Sequence, residues 1–275
     1  MRFTKMQGIG NDYVYVDCTQ EKISDPVSLA RKISDRHFGV GSDGLVMILP
    51  GTQGDFRMRM FNSDGSEAEM CGNASRCVGK YVYERGLTQK EEILLETGAG
   101  IKILKLHQEA GRVVSVTVDM GEPRRLPREI PTTLDKTENT SIEVGGITFE
   151  VTCVNMGNPH CVVFQNDAED LDIAYWGPLF EHHPSFPERI NTEFVYVKDK
   201  KHLRMRVWER GAGETMACGT GACAALVAAV VTGRTDRKAQ LILNGGQLEI
   251  EWDQKTGHVM MTGPAEFVFD GEWNE

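Results

Sequence analysis

The sequence lacks the features that mark membrane proteins, secreted proteins and nucleic-acid-binding proteins. Its longest apolar run, from Ala222 to Thr232, is shorter than the roughly 20 residues that cross a bilayer as a helix. No basic segment followed by an apolar segment opens the chain, so we predict no signal peptide. The formal net charge of −10 opposes binding to phosphate backbones and to anionic lipid surfaces. We therefore expect a cytoplasmic protein that binds neither nucleic acid nor a membrane.

The chain also lacks the cysteine spacings typical of a disulfide framework or a zinc site. It has seven cysteines, an odd number, and no pair of them in a C-x-x-C spacing. A chain of 275 residues can bury a core without covalent cross-links. We therefore expect reduced thiols and no structural metal. Five cysteines are expected to be inert, buried residues: Cys18, Cys77, Cys153, Cys161 and Cys223.

An internal repeat relates the two halves of the chain. Residues 57–73 align without a gap to residues 204–220, at an offset of 147 positions, and the alignment pairs Cys71 with Cys218. The same offset relates similar residues from about residue 10 to about residue 103 of the first copy. We therefore predict two tandem domains that descend from one ancestor. The predicted domains are residues 1–118 and residues 119–263, with residues 264–275 packing back on the first domain.

Each copy shows the same order of predicted elements. Residues 56–61 and 203–208 alternate apolar residues with arginine, which predicts a strand with one buried face. A glycine-containing turn, Cys-Gly and a helix follow, and each helix is predicted to stop at a glycine, Gly86 or Gly233. The first of these helices carries an apolar stripe, whereas the second is apolar on every face and is predicted to be buried on all sides.

These patterns together predict an α+β fold. A helix that is apolar all round needs neighbours on every side, and a curled sheet supplies them. We expect two pseudo-symmetric tandem domains, each a curled, mostly antiparallel sheet around a central helix. The active site is expected at the domain interface, where the two repeated cysteines would face each other.

The position of the two repeated cysteines indicates acid/base chemistry. Cys71 and Cys218 each stand where a helix begins, and a helix N-terminus stabilises a thiolate and binds carboxylates. We therefore expect both thiols to be activated. Inverting a stereocentre by proton transfer needs a base on one face of the carbon and an acid on the other, which a thiolate and a thiol sharing one proton would provide.

Six motifs are spread along nearly the full chain: MQGIGNDYVYVD (6–17), HFGVGSDGLV (37–46), FNSDGSEAEMCGNASRC (61–77), MGNPHCVV (156–163), FPERINTEF (186–194) and ERGAGETMACGTGACAA (209–225). In these motifs and in their order, the sequence resembles the diaminopimelate epimerases. The resemblance implies an isomerase that needs no cofactor and interconverts LL- and meso-diaminopimelate on the pathway to lysine and peptidoglycan precursors. It also implies two pseudo-symmetric domains, each with a helix inside a sheet barrel.

The resemblance also implies roles for individual residues. Cys71 corresponds to the family's proton donor and Cys218 to its proton acceptor, while His160 and Glu209 correspond to residues that support stereoinversion. The implied substrate-binding residues are Asn11, Asn62, Gly72, Asn73, Asn158, Asn191, Glu209, Arg210, Gly219 and Thr220.

Two positions depart from some members of that family. Gly44 stands where some members have a glutamine that contacts substrate, so we leave it out of the site. Phe269 stands where some members have a tyrosine at their dimer interface, and we expect a homodimer.

The residues alone leave other interpretations open. Gly-Asn is an ordinary turn pair, Glu209-Arg210 could be a solvated strand end, and His160 could be a satisfied core histidine. A proline or hydroxyproline racemase would share the paired cysteines but should lack the ERGAGET and GNDYVYVD motifs. A phenazine-type isomerase of the same fold would lack both cysteines. A thiol redox switch would favour a C-x-x-C pair over two cysteines 147 positions apart.

Overall fold

The protein divides into two compact units in a computed structural model that describes residues 1–167 and 169–274. The first unit comprises Met1–Asp119 and residues 262–274, and the second comprises Met120–Met261. Both units contain more strand than helix. No helix in the described part of the chain is long and apolar enough to cross a membrane.

The first unit contains two helices and a sheet that is mostly antiparallel. Its helices are α1 (Pro26–Ser34) and α2 (Gly72–Glu84). The strands up to residue 119 are β1 (Arg2–Gly8), β2 (Asn11–Asp17), β3 (Gly44–Pro50), β4 (Phe56–Asn62), β5 (Glu67–Ala68), β6 (Glu92–Thr97), β7 (Gly100–Glu109) and β8 (Arg112–Asp119). Only the pairs β2–β3 and β4–β6 are parallel among the pairings described within this unit. Helix α2 packs against β1 and β2 and also against β7 and β8, so the sheet curls around it.

The second unit repeats this arrangement. Its helices are α3 (Ile173–Glu181) and α4 (Gly219–Val231), with one 3-10 turn at Pro127–Glu129. Its strands are β9 (Thr140–Val144), β10 (Ile147–Asn155), β11 (Pro159–Gln165), β12 (Asn191–Asp199), β13 (His202–Glu209), β14 (Gly213–Glu214), β15 (Lys238–Leu243), β16 (Gly246–Trp252) and β17 (Val259–Gly263). Helix α4 packs against β10 to β13 and against β15 and β16. The predicted fold class, two repeated α+β domains with a sheet around a central helix, is confirmed.

The helices of the two units also follow the repeat. Helices α1 and α3 each have nine residues, helices α2 and α4 each have 13, and both pairs are separated by the repeat offset of 147. The aspartates Asp25 and Asp172 cap α1 and α3, each accepting a hydrogen bond from the backbone N–H three residues later. The predicted glycine stops are confirmed, because α2 and α4 end two residues before Gly86 and Gly233, whose φ values of 73° and 71° suit glycine.

Both central helices are buried along most of their length, although their sequences differ in polarity. Helix α4 is buried along most of its length, as expected, but α2 is also buried nearly all round, including Arg76 and Lys80. The Arg76 guanidinium donates to the carbonyl of Pro264, and the Lys80 ammonium donates to Glu84 and to the carbonyl of Val113. Buried cations are tolerated where they are hydrogen-bonded in this way. The burial of α2 agrees with the predicted central helix, although its apolar stripe alone does not show it.

The last strand of the chain belongs to the first unit. Strand β18 (Glu266–Glu272) pairs antiparallel with β1, from Arg2 opposite Glu272 to Gln7 opposite Glu266. It presents Val268 and Phe269 to solvent with 55% and 47% of their surfaces exposed. The sheet of the first unit is therefore completed by residues that follow the whole second unit in sequence.

Candidate active site

The two repeated cysteines occupy the same structural position in their units. Cys71 is the N-cap residue of α2 and Cys218 that of α4, and both have extended backbone angles. The carbonyl of each accepts the first hydrogen bond of its helix, from Ser75 and Ala222. Gly72 and Gly219 begin the helices, so the backbone beside each sulfur carries no Cβ.

In the first unit, two asparagine side chains lie next to Cys71. The Cys71 thiol donates to Oδ1 of Asn11 at 3.4 Å, and the Asn73 side chain donates to the same oxygen at 3.3 Å. Oδ1 of Asn73 is buried and has no hydrogen-bond partner among the described residues, so it is an acceptor open to a ligand. The structure thus brings Asn11, Cys71, Gly72 and Asn73 together.

Asn62 and Gly44 lie opposite each other on neighbouring strands of this unit. The side chain of Asn62, at the end of β4, donates to Ser66. Gly44 pairs with Asn62 across β3 and β4, and a Cβ at Gly44 would collide with the carbonyl oxygen of Phe61. This backbone therefore has no room for a glutamine at position 44.

Asp43 is a residue of this site that the sequence pattern does not single out. Its carboxylate accepts hydrogen bonds from the Asn11 side chain at 2.8 Å and from the Asp12 backbone at 3.0 Å. These bonds fix which end of the Asn11 amide faces Cys71. Burial, together with the charge of Asp12, raises the pKa of Asp43 above its ordinary value, although Arg36 lies 3.0 Å from it. Its position next to Gly44 in the GVGSDG motif is the only signal in the sequence.

In the second unit, the residues around Cys218 are a carboxylate and two hydroxyls. Cys218 is 5% exposed, and its sulfur lies 3.5 Å from the hydroxyl of Thr220. The carboxylate of Glu209 accepts a hydrogen bond from the hydroxyl of Thr215 at 2.5 Å, and the Cys218 thiol is close enough to act on the pKa of this carboxylate. The structure therefore brings Cys218, Glu209 and Thr220 together, and adds Thr215.

The pKa of Cys218 does not follow the expectation from its helix. Burial raises this pKa well above the usual value for a thiol, and the charges of Glu209 and Glu193 raise it further. The Thr220 hydroxyl and the backbone N–H of Gly221 lower it, but by less. The expected activation by the helix N-terminus is therefore wrong for Cys218 in the protein without ligand, because desolvation and two carboxylates outweigh it. Burial likewise raises the pKa of Glu209.

His160 is completely buried on β11, between two side chains. Its Nδ1 lies 2.7 Å from Oε1 of Glu193, and its Nε2 lies 3.0 Å from Oδ1 of Asn158. His160 and Asn158 are therefore in direct contact, as members of one hydrogen-bonded chain. Glu193 is a second residue that the sequence pattern does not single out.

Asn191 joins two parts of the second unit through its side chain. It donates to the carbonyl of Pro159 at 2.8 Å and accepts from the backbone N–H of Arg210 at 3.0 Å. The Arg210 guanidinium donates to the carbonyl of Glu188. Asn191 therefore holds the backbone at Arg210, directly after Glu209.

No three His, Cys, Asp or Glu side chains are grouped to hold a metal ion within residues 1–167 and 169–274.

The raised pKa of Cys218 predicts a delayed reaction with an alkylating reagent. Only the thiolate reacts, so the alkylation of Cys218 by iodoacetamide should reach its half-maximal rate at a higher pH in the folded protein than in urea. Peptide mapping by mass spectrometry over a pH series measures this midpoint for each cysteine. A Cys218 midpoint equal to or below that of the unfolded chain would contradict the prediction. The pH of the midpoint reports the pKa of the thiol, whereas low accessibility lowers the rate at every pH.

The two repeated units, each with a sheet curled around a helix that begins beside a cysteine, define a class of two-unit α+β proteins. The solved structure of a hydroxyproline epimerase from Agrobacterium vitis matches with a TM-score of 0.69 at 15% identity, over 98% of this chain and 91% of that one. This likeness shows the fold.

Sequence comparison identifies the family within that class. The defining pattern of the diaminopimelate epimerase family matches residues 3–126 and 152–268. The diaminopimelate epimerase of Acetivibrio thermocellus is 58% identical over 274 residues, covering 99% of this chain and 98% of that protein. The diaminopimelate epimerase of Desulfovibrio desulfuricans is 57% identical over 281 residues, covering 99% and 98%. The chain belongs to the diaminopimelate epimerase family of isomerases.

Proposed function

We propose that this protein interconverts LL- and meso-diaminopimelate by moving protons between two thiols and one α-carbon. Membership of the diaminopimelate epimerase family supports the reaction and the substrate. The observation that carries the mechanism is the pair of cysteines at equivalent helix N-termini, Cys71 and Cys218. The two thiols supply one acid and one base, so the mechanism needs no cofactor.

In the proposed reaction, Cys218 is the base and Cys71 the acid. Glu209 takes the proton of the Cys218 thiol, which is close enough to act on the pKa of this carboxylate. The resulting thiolate removes the α-proton of the LL isomer, and the Cys71 thiol delivers a proton to the opposite face of the carbon. The product is the meso isomer, with a thiol at Cys218 and a thiolate at Cys71. The reverse reaction exchanges the two roles.

The backbone at the two helix starts is suited to the substrate carboxylate. The first N–H groups of α2 and α4, at Gly72, Asn73, Gly219 and Thr220, have no partner within their own helices. Such groups bind an anion and stabilise the negative charge that develops as the proton leaves. The buried, unpartnered oxygen of Asn73 would accept a hydrogen bond from the substrate ammonium group.

A substrate with two different ends needs different binding groups in the two units, and two equivalent positions do carry different side chains. Asn62 of the first unit corresponds to Glu209 of the second, and no counterpart of the Arg210 guanidinium follows Asn62, where Ser63 stands. We propose that Asn158, Asn191 and Arg210 act with Asn11 and Asn62 in holding the substrate. We further propose a cytoplasmic homodimer in which the exposed Phe269 of β18 contacts the partner subunit.

The test is exchange of solvent deuterium into LL-diaminopimelate by the reduced protein, without pyridoxal phosphate and in the presence of EDTA. We expect deuterium at the α-carbon of the meso product in early turnover, before it appears in the recovered LL isomer, because each face has its own proton carrier. Absence of exchange would refute the function. Proline and hydroxyproline serve as the control substrates, and exchange with these alone would favour a proline-type racemase.

A further inference from the structure

One buried acid of the second unit has no part in the proton transfers above. Glu193 lies on β12 with no exposed surface, and Oε1 is bonded to Nδ1 of the equally buried His160. Its other oxygen, Oε2, has no hydrogen-bond partner among the described residues. A buried carboxylate oxygen without a partner costs stability. Glu193 is therefore poorly explained as a residue that stabilises the fold.

The repeat shows that this acid is specific to the second unit. The positions of Glu193 and His160 correspond to Val46 and Tyr13 in the first unit. The first unit thus builds the same strands with an apolar residue at this position. The sheet and the central helix do not require a carboxylate there.

A glycine in α4, like Glu193, has no equivalent in the first copy of the repeat. A Cβ at Gly221 would lie 2.6 Å from Oε1 of Glu193, so the glycine leaves room for the carboxylate. The corresponding residue in α2 is Ala74, and the first unit has Val46 at the position of the acid. Gly221 belongs to the first turn of the helix that begins beside Cys218. The carboxylate, the histidine and the start of α4 therefore form one packed group.

We propose that Glu193 is a positioning residue that holds the ring of His160. This inference rests on the proposed function and on the supporting role in stereoinversion that the family resemblance implies for His160. The carboxylate of Glu193 accepts a hydrogen bond from Nδ1, which fixes the orientation of the ring and directs Nε2 towards Asn158.

Several ionisable groups act on His160 and the nearby thiol. Glu193 on β12 contacts the ring, Glu209 at the end of β13 acts on it through its charge, and Cys218 at the start of α4 lies close to both carboxylates. Removing the charge of Glu193 leaves Glu209 and Cys218 in place. The effect of Glu193 on His160 can therefore be measured separately.

The test compares Glu193→Gln, Glu193→Asp and Thr192→Val. Glutamine keeps an acceptor for Nδ1 but removes the charge. We expect kcat to fall about 10–100-fold with little change in KM, by analogy with the partners that orient metal-bound histidines. Aspartate, which keeps the charged acceptor, should restore part of kcat. Thr192 is the matched control, because it is adjacent, fully buried and its hydroxyl has no described partner, so Thr192→Val should behave as wild type.

A nitrogen-15 NMR spectrum of the histidines tests the inference without any turnover. In the ligand-free protein, Glu193→Gln should shift the Nδ1 signal of His160, because the hydrogen bond then ends on a neutral amide, whereas Thr192→Val should not. Unchanged His160 signals, or equal losses of kcat in Glu193→Gln and Thr192→Val, would overturn the inference. If the wild-type protein showed no exchange, the proposed function would fail, but the NMR result would still decide the role of Glu193.

Discussion

Replacement of Cys71 or Cys218 by serine is expected to lower epimerisation about 10²–10⁴-fold, the range contributed by a positioned acid or base. Serine keeps the size and the hydrogen-bonding capacity of the side chain, but its hydroxyl is a far weaker acid than a thiol. Each variant would lose the proton carrier on one face of the α-carbon. The measurement is the initial rate of meso-diaminopimelate formation from the LL isomer, together with a thermal melt.

The matched controls for these variants are Cys77→Ala and Cys223→Ala. Both cysteines are buried and lie in the same two helices as the reactive pair, a turn or more after it. We expect both controls to retain activity, with at most a modest loss of stability. Full activity in Cys71→Ser or Cys218→Ser would contradict the two-thiol mechanism. Equal losses in the reactive pair and in the controls would point to a general effect of substitution in these helices.

Replacement of Glu209 by glutamine is expected to lower epimerisation about 10²–10⁴-fold and leave the protein at least as stable at pH 7 to 8. Glutamine can accept the hydrogen bond from Thr215 but cannot take the proton of Cys218. Burial raises the pKa of Glu209, so the folded state holds this proton more tightly than the unfolded state. The contribution of Glu209 to stability therefore falls as pH rises through the interval between the unfolded and the folded pKa. Glutamine does not ionise and removes this cost.

Activity and the urea unfolding midpoint, measured at pH 4 and pH 8, separate a catalytic role of Glu209 from a structural one. The stability gain of Glu209→Gln should appear at pH 8 and shrink towards pH 4. Glu249→Gln is the control, because Glu249 is an exposed acid of the same unit, paired with Lys238. A loss of activity that accompanied a loss of stability at pH 8 would indicate a structural role.

The strands and the central helices could be predicted because their signals are local. Alternation of apolar residues and arginine defined β4 and β13, and a glycine at the same distance after each cysteine defined the ends of α2 and α4. Helices α1 and α3 were not predicted. They are nine-residue helices, too short for a strong periodic pattern.

The environment of the site residues could not be predicted, because it depends on groups far apart in sequence. The buried guanidinium of Arg76 donates a hydrogen bond to the carbonyl of Pro264, 188 positions away. The thiol of Cys218 was expected to be acidic from its helix, but burial raises its pKa, as do the charges of Glu209 and of Glu193, which lies on a strand three elements earlier. A sequence pattern shows which residue caps a helix, but it does not show which charges lie around that residue.

The pairing of β18 with β1 has a consequence for the order in which the chain can fold during synthesis. Residues 1–119 of the first unit leave the ribosome first. Strand β1 can then pair with β2, but its second partner, β18, follows only after all of Met120–Met261. The terminal amino group of Met1 is likewise held by the carbonyl of Trp273. Until those residues emerge, β1 has an unpaired edge that can pair with another chain. The second unit is continuous in sequence and can complete its own hydrogen bonds earlier. A nascent chain stalled before residue 266 therefore exposes its N-terminal strand, and this is the stage at which a chaperone would be needed most.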